Sequence, residues 1–439
     1  MKLIPGKVLT AILLTVLLVA GSSFAVQAQE EMPEKPETLS IIALDIDVDQ
    51  FGAGVTRFEE EYGIEVEWIE MAYGDLWDQI TTSIAGGSTF DLYHMSNSWH
   101  PELGNLGMAI PLGEIVSQEE LDEINEKFYD ITVEFVSSHG EQWALPGTAA
   151  TVSFFYNKAM LEELGYDEPP ATFYEMLDIS REAIEAGVAE YGLFPGWPEA
   201  HEDSMVWFDI MLKLYDGEWL NEDKTEWTFN SEAGIQALTL MKEMLDEGLI
   251  PRAALETSDW DNYHHFVAGE QIFEINWNMV HGVATNPEVS EIVDDLGVGL
   301  IPGIERESYT VLGGGGYAIS PTTRSPEWAF ELLTYMKDEA GARGLMETTG
   351  GAESVIKELY SEEYDAEFPE EEYPLRDVFR QQMGVAGLRP SDTLSWYSEF
   401  RDNIFTPAIH RALRGEQEIE AALNEAYEEA QEMLEAEGL

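Results

Sequence analysis

The sequence predicts an α/β protein built as two domains, or as one domain with two lobes, and three observations carry the prediction. The chain has 439 residues, and a typical domain takes ~100–200. Short strand-patterned runs alternate with helix-patterned runs along most of its length. Hydrophobic residues make up 44%, with 12 Trp, 18 Tyr and 19 Phe, which is ample apolar mass for packed cores and too much for a disordered acidic chain.

The alternation begins at residues 39–48, a strand candidate, followed by a helix over 51–62 that Gly63 ends and a second strand over 64–71. Residues 76–84 are helical and stop at Gly86-Gly87, and 91–95 form a third strand. The pattern resumes with a strand at 152–156 and helices at 158–165 and 172–187. Thr172, with Glu175 three residues on, has the spacing of a capping box after the Pro169-Pro170 turn. A helix over 231–248 sets Ile235, Leu238, Met241, Met244 and Leu245 on one face, and 272–276 and 297–301 are further strands. The last helix, from Glu416, aligns Ile419, Leu423, Ala426, Ala430 and Met433 against an acidic face. These stripes read as core, not as cofactor contacts. Residues 361–374 (SEEYDAEFPEEEYP) read as a solvated acidic loop, and no repeat of fixed period is present.

Charge narrows the function classes. The chain carries 86 Asp+Glu against 22 Lys+Arg, a formal net charge of −64. Nucleic acid and anionic membrane surfaces are poor partners for it, because phosphate binding needs clustered cations. Such an excess of carboxylates destabilises a compact state by self-repulsion, and at molar salt the Debye length falls to about 3 Å, which removes most of that repulsion. The composition therefore reads as adaptation to high salt, with an ordinary acidic secreted protein as the alternative. The absence of cysteine excludes a disulfide scaffold, a thiol enzyme, Cys-ligated metal sites and a lipid-modified N-terminal cysteine.

Residues 1–28 read as a signal peptide. Lys2 and Lys7 precede an apolar run over 8–20, and Val26-Gln27-Ala28 is a small-x-small cleavage pattern, with cleavage after Ala28. The run falls short of the ~20 residues that span a bilayer. The expectation is an exported periplasmic protein that is not a lipoprotein, with an acidic leader over 29–38.

Several catalytic and metal signals fail on inspection. Asp45-x-Asp47-x-Asp49 begins like a calcium loop, but Gln50 stands where glycine is required and Thr56 where a bidentate Glu belongs; a strand ending in alternate carboxylates is the plainer reading. Gly313-Gly314-Gly315-Gly316 lacks the Lys-Ser/Thr of a phosphate loop. HExxH and GxSxG are absent, and adjacent His264 and His265 do not share a face of a regular element. No cofactor or metal is implied. What stands out instead is aromatic residues in loops beside short polar ones: Ser96-Asn97-Ser98-Trp99, Gly196-Trp197-Pro198-Glu199, Asn276-Trp277-Asn278 and Ser395-Trp396-Tyr397. A loop Trp is often a lid on the local core. Four such clusters fit a carbohydrate cleft, since a pyranose offers an apolar C–H face for a ring and hydroxyls for Asn, Asp and Glu.

Ordered landmarks carry a resemblance over essentially the whole chain after the leader. They are Phe58-Glu-Glu-Glu-Tyr-Gly-Ile-Glu-Val66, Ala85-Gly-Gly-Ser-Thr-Phe-Asp-Leu-Tyr93, Leu145-Pro146, Tyr156-Asn157-Lys158, the stretch Leu164 to Glu175, Phe266-x-x-Gly269, Gly297 to Gly303, Gly313 to Pro321, and Pro326-Glu-Trp-Ala329. With these the sequence resembles the extracellular solute-binding proteins of ATP-driven importers, the large family that includes maltose-binding protein. The resemblance implies a two-lobed periplasmic-binding-protein fold of type II character, each lobe a sheet flanked by helices, with a ligand cleft and a hinge between them. It places 39–146 plus 304–340 in the N-terminal lobe and 147–303 plus 341–439 in the C-terminal lobe, with crossings near 145–147, 302–308 and 335–342. Carried over position by position, it implies ligand contacts at Asp45, Asp47, Gln50, Ser96, Asn97, Trp99, Thr148, Trp197, Glu199, Trp277, Asn278, Gly314, Gly315 and Trp396. Gly313–Gly316 is expected as a ligand-facing loop. Ala150, Met95 and Ser98 depart from the maltose binder's sugar contacts, which puts maltose itself in doubt.

The leading function is a non-catalytic importer subunit, a monomer that binds a di- or oligosaccharide and docks on membrane permease subunits. A binder of a cationic osmolyte or polyamine is the alternative. A secreted glycoside-processing enzyme is a third reading, and it needs two carboxylates about 5–10 Å apart across the sugar.

Overall fold

The computed structural model describes residues 32–199, 202–392 and 394–437, so the signal peptide expected at 1–28 and its expected cleavage site lie outside the described residues. The fold opens with three parallel strands, β1 (Thr38–Leu44), β2 (Glu65–Met71) and β3 (Leu92–Ser96), with β1 between the other two. Helices α1 (Asp47–Tyr62) and α2 (Tyr73–Ala85) make the crossovers that parallel neighbours require. α1 begins earlier than the sequence pattern indicates. Asp47 and Asp49 sit in its first turn, not at the end of a strand, because carboxylates there complement the helix dipole. Gly63 ends α1 in the left-handed region, its N–H bonding to the Glu59 carbonyl.

The long strand β4 (Ala144–Asn157) extends well beyond the predicted 152–156. Its second half pairs antiparallel with β5 (Phe273–Trp277) and β6 (Leu296–Gly299). Its first half pairs antiparallel with β7 (Thr310–Ile319), which also lies antiparallel to β3. Sheet order is therefore β2-β1-β3-β7-β4-β5.

The run Gly313–Gly316 lies inside β7, so the expected ligand-facing loop is a central strand. Crowding explains the composition. A Cβ at Gly314 would come within 2.3 Å of the Thr148 carbonyl oxygen, and one at Gly315 within 2.4 Å of the Met95 oxygen. Only glycine lets three backbones approach this closely.

Two apolar cores result. The first gathers Ile41, Phe51, Phe58, Tyr93, Tyr317 and Leu333, and the second Phe154, Trp197, Trp207, Phe229 and Leu423. The second is built on α3 (Phe173–Ala186), α4 (Asp203–Leu214), α5 (Glu232–Asp246) and the long terminal helix (Ile419–Glu437). α3 carries the predicted capping box, with the Glu175 N–H donating to Thr172 Oγ1 at 3.2 Å. α4 has no counterpart in the sequence reading. All twelve of its residues are buried, so its apolar pattern shows no helical stripe.

Among the described residues, three adjacent stretches pass from one core to the other. Ala149 belongs to the first core and Val152 to the second, Val311 to the second and Leu312 to the first, and Met383 to the first and Leu394 to the second. These passages lie side by side, since Thr151 pairs with Leu312, and Ala386–Gly387 with Thr310–Val311. Ala342, Leu345 and Met346 pack in the first core against α1, and Leu375, Phe379 and Met383 join that core as well. That core also reaches beneath the second lobe's sheet through Phe155, Phe266 and Val280.

Candidate ligand-binding site

Parallel β1, β2 and β3 deliver three loops to one edge: Asp45–Ile46, Ala72–Tyr73 and Ser96–Trp99. Open α/β sheets bind ligands beyond the carboxyl ends of their strands. Tyr73 and Trp77, one helical turn apart on α2, meet Trp99 there. Tyr73 stacks on Trp99 with ring centroids 5.4 Å apart and planes 24° from parallel, and Trp77 meets Trp99 edge-on at 5.4 Å. The Tyr73 hydroxyl donates to Ser96 Oγ at 3.1 Å, and Ser96 Oγ lies 3.2 Å from Ser98 Oγ. Tyr73 as a whole is 44% exposed.

The second lobe presents the facing wall. Arg389, whose side chain is 4% exposed, pairs with Glu202 at 3.3 Å. The Tyr397 hydroxyl donates to the same carboxylate at 3.4 Å. The Arg389 guanidinium lies 6.0 Å from the centre of the Trp277 ring, and that ring rests on Gly313, where a Cβ would come within 2.6 Å of it. Contact across the site is direct: the turn Pro390–Asp392 packs on Asn97–Trp99. Burial pushes the Tyr73 hydroxyl above its ordinary pKa and Glu202 adds to that, while the Ser96 bond and Arg389 oppose it, so both members of the pair act on a tyrosine of the opposite lobe. Beside Arg389 a cavity of about 450 Å³ is lined by Glu134, Lys213, Glu218, Trp219 and Asn221 among others. Beneath it Asp209 is fully buried, accepting from Trp219 Nε1 and from the Tyr309 hydroxyl, and burial raises its carboxyl to about 6 despite Lys213.

The residues expected at the site divide into two groups. Ser96, Asn97, Trp99 and Trp277 meet in the region just described, and Asp45 is exposed at the end of β1. Trp396 is half-buried next to Tyr397 and packs edge-on against Trp227 and Phe400 at 6.2 Å. The others are engaged within the fold. Asp47 is buried against His94 Nδ1 at 3.0 Å and accepts from the Leu44 N–H; burial works to raise its carboxyl, and His94 overrides it, leaving it below the usual carboxylate range. Gln50 is buried in α1, and Thr148, Gly314 and Gly315 lie within paired strands. Trp197 has no exposed surface and packs edge-on against Trp207 at 5.4 Å in the second core. Glu199 pairs with Arg414 at 2.7 Å.

Asn278 belongs to a closed ring of four buried side chains. Thr151 Oγ1 donates to Gln382 Oε1 (2.7 Å), Gln382 Nε2 to Ser153 Oγ (2.9 Å), Ser153 Oγ to Asn278 Oδ1 (2.6 Å), and Asn278 Nδ2 to Thr151 Oγ1 (2.9 Å). The ring sits where β4 passes between cores.

Sequence reasoning singled out Tyr397 only as part of the Ser395-Trp396-Tyr397 cluster and passed over Tyr73, Trp77, Glu202 and Arg389. The four-residue spacing of Tyr73 and Trp77 was a signal that could have found them. Glu202 is one carboxylate among 86 and carries none. Among the described residues no group of three or more His, Asp or Glu side chains could hold a metal ion, and no helix is long and apolar enough to cross a membrane.

Two lobes sharing three adjacent passages, with rings and a charge pair facing each other between them, define a two-lobed solute-binding protein. Residues 47–343 match the family model for bacterial extracellular solute-binding proteins, and the chain belongs to that family. A binding protein of Brucella abortus is 26% identical over 240 residues, 52% of this chain and 57% of that one, so the match spans just over half the relative's length. The galactooligosaccharide-binding protein of Bacillus subtilis is 20% identical over 316 residues, 67% of each chain. Among solved structures, maltose-bound MalE3 of T. maritima superposes with a TM-score of 0.76 at 21% identity, covering 90% of this chain and 99% of that one. The cyclic α-maltosyl-1,6-maltose binding protein from Arthrobacter globiformis gives 0.74 at 20% identity, covering 91% and 99%. At these identities the structural likeness shows the fold.

Proposed function

We propose that this chain is the carbohydrate-binding subunit of an ABC importer, taking a di- or oligosaccharide between its lobes and handing it to membrane permease subunits. The observation that carries the reading is the stacked Tyr73–Trp99 pair facing Glu202, Arg389 and Tyr397. An exposed ring face suits the C–H face of a sugar, and the carboxylate, guanidinium and phenol suit its hydroxyls. The sugar ligands named for the Bacillus subtilis relative and the T. maritima and Arthrobacter globiformis structures support the same class. In this reading the protein is exported with its signal peptide removed after Ala28, acts without catalysis, works as a monomer in high salt, and closes about the three adjacent passages.

The test is a thermal-shift screen of the protein starting at Gln29, in molar KCl, against mono-, di- and oligosaccharides, with betaine, ectoine and spermidine as controls. A ligand at 100 times its dissociation constant adds about 2.7 kcal/mol, a readable rise in midpoint. Shifts confined to sugars support the proposal. A shift only with the cationic compounds would replace it with the osmolyte reading.

A further inference from the structure

We infer that the second lobe holds a buried halide site, formed by Trp197, Ser204, Thr406 and His410, which takes up chloride from molar salt. The inference is independent of the sugar reading. All four residues are fully buried. Trp197 Nε1, Ser204 Oγ, Thr406 Oγ1 and both ring nitrogens of His410 have no hydrogen-bond partner among the described residues. Buried polar atoms are almost always partnered, so five orphans in one core call for a common partner.

Packing brings the four side chains to one region. Thr406 and His410 stand one turn apart on the helix Thr406–Leu413. Two contacts bracket that helix along the segment 197–204: the Tyr397 hydroxyl donates to Glu202 at 3.4 Å, and Arg414 pairs with Glu199 at 2.7 Å. Phe405, beside Thr406, meets Phe208 with ring centroids 5.0 Å apart, one turn beyond Ser204 on α4. Trp207 on the same helix meets Trp197 at 5.4 Å.

The donor count selects an anion. The indole N–H only donates, and each hydroxyl has a hydrogen to give. Burial drives the His410 pKa down to about 4, with Glu199 opposing and Arg414 adding, so the neutral ring offers one N–H and one acceptor. Four donors therefore face one acceptor. The neighbouring carboxylates do not fill the deficit: Glu199 is paired with Arg414, Glu202 with Arg389, and Asp203 has a partner of its own. A halide accepts from several directions at once and is small enough for an enclosed core. Weak affinity suffices, because stabilisation grows with the ratio of ligand concentration to Kd and chloride is molar. Screening, by contrast, depends on ionic strength and not on which anion supplies it.

The experiment grows crystals of the protein starting at Gln29 in molar KBr and measures anomalous scattering at the bromine edge. A bromide peak within hydrogen-bond reach of Trp197 Nε1 and the His410 ring is expected. In solution, the melting midpoint is compared between KCl and potassium gluconate at equal ionic strength. Thr406→Val, which keeps the side-chain shape, should shift that difference against chloride by about 2 °C or more relative to the native chain. Ser204→Ala serves if the first variant does not fold. A site holding only water overturns the inference, as does a chloride–gluconate difference unmoved in both variants. Bromide in the crystal without that shift marks an adventitious ion only and overturns it too. Each of these failures leaves the carbohydrate reading standing, since the sugar screen tests that separately.

Discussion

Thr151 and Gln382, 231 residues apart in sequence, share a hydrogen bond of 2.7 Å at the point where β4 leaves one core for the other. Gln382 also holds the Val152 carbonyl at 3.0 Å and Ser153 Oγ at 2.9 Å, so one amide fixes three successive residues of the shared strand. Each side chain in the ring donates once and accepts once, an arrangement that strengthens every bond in it. Gln382→Leu should lower stability by about 2–4 kcal/mol, because buried groups lose partners they cannot replace. The double variant with Thr151→Val should lose less than the sum of the two single losses, measured by chemical denaturation. Strict additivity would show that the four side chains do not act as a unit.

Tyr73 and Trp197 should behave oppositely. Tyr73→Ala changes a residue that is 44% exposed, so the melting midpoint should barely move while sugar affinity falls about tenfold or more. Trp197→Ala empties a core position with no exposed surface and should lose ~3–5 kcal/mol of stability. Calorimetric titration beside thermal melting separates the two effects.

Glu274 makes a pH prediction. It is fully buried on β5 with only the amides of Asn276 and Gln271 as donors, and burial raises its carboxyl to about 7. Its unfolded pKa lies near 4.5, so the folded state binds the extra proton. Its contribution is complete below that value and is lost as pH climbs through about 7. Asp209, raised to about 6, acts in the same direction. The contribution of these two carboxyls should decline between pH 5 and 8, and Glu274→Gln should remove the upper part of that decline in urea titrations at fixed salt.

Lys337 titrates in the opposite sense. Its Nζ sits 3.1 Å from the Phe51 ring centre and 4.5 Å from that of Tyr317, without a hydrogen-bond acceptor. Burial pushes its pKa well below the ordinary lysine value, with Asp47 opposing. Between the lowered folded pKa and 10.5 the unfolded chain therefore binds the extra proton, and the Lys337 contribution to stability should rise with pH across that window. Lys337→Met, which removes a buried amine without a hydrogen-bond acceptor, should raise the melting midpoint and abolish that slope.

A net charge of −64 predicts a steep response to salt. Raising KCl from millimolar to molar should raise the denaturation midpoint markedly, since screening relieves repulsion among surface carboxylates. Undiminished stability in low-salt buffer would refute adaptation to high salt.

Local features were legible in the sequence wherever local physics decides. Gly63 ends α1, Thr172 and Glu175 cap α3, and the stripe Leu423, Ala426, Ala430 faces the second core, each fixed by backbone geometry or periodicity within a few residues. The loop at Ser96–Trp99 was legible as well, because it follows a strand in a parallel alternation. Three things awaited the tertiary structure. Which tryptophans face the cleft was one: Trp99 and Trp197 look alike in their loops, yet Trp197 is covered entirely by the second core. The strand character of Gly313–Gly316 was another, since it depends on the backbones of β3 and β4 pressing from both sides. The third was the pairing of Glu202 with Arg389 and of Thr151 with Gln382, between groups 187 and 231 residues apart. Composition and periodicity report what a residue does to its own neighbourhood. Partners brought together only when distant strands close around a shared passage leave no mark on the sequence beside them.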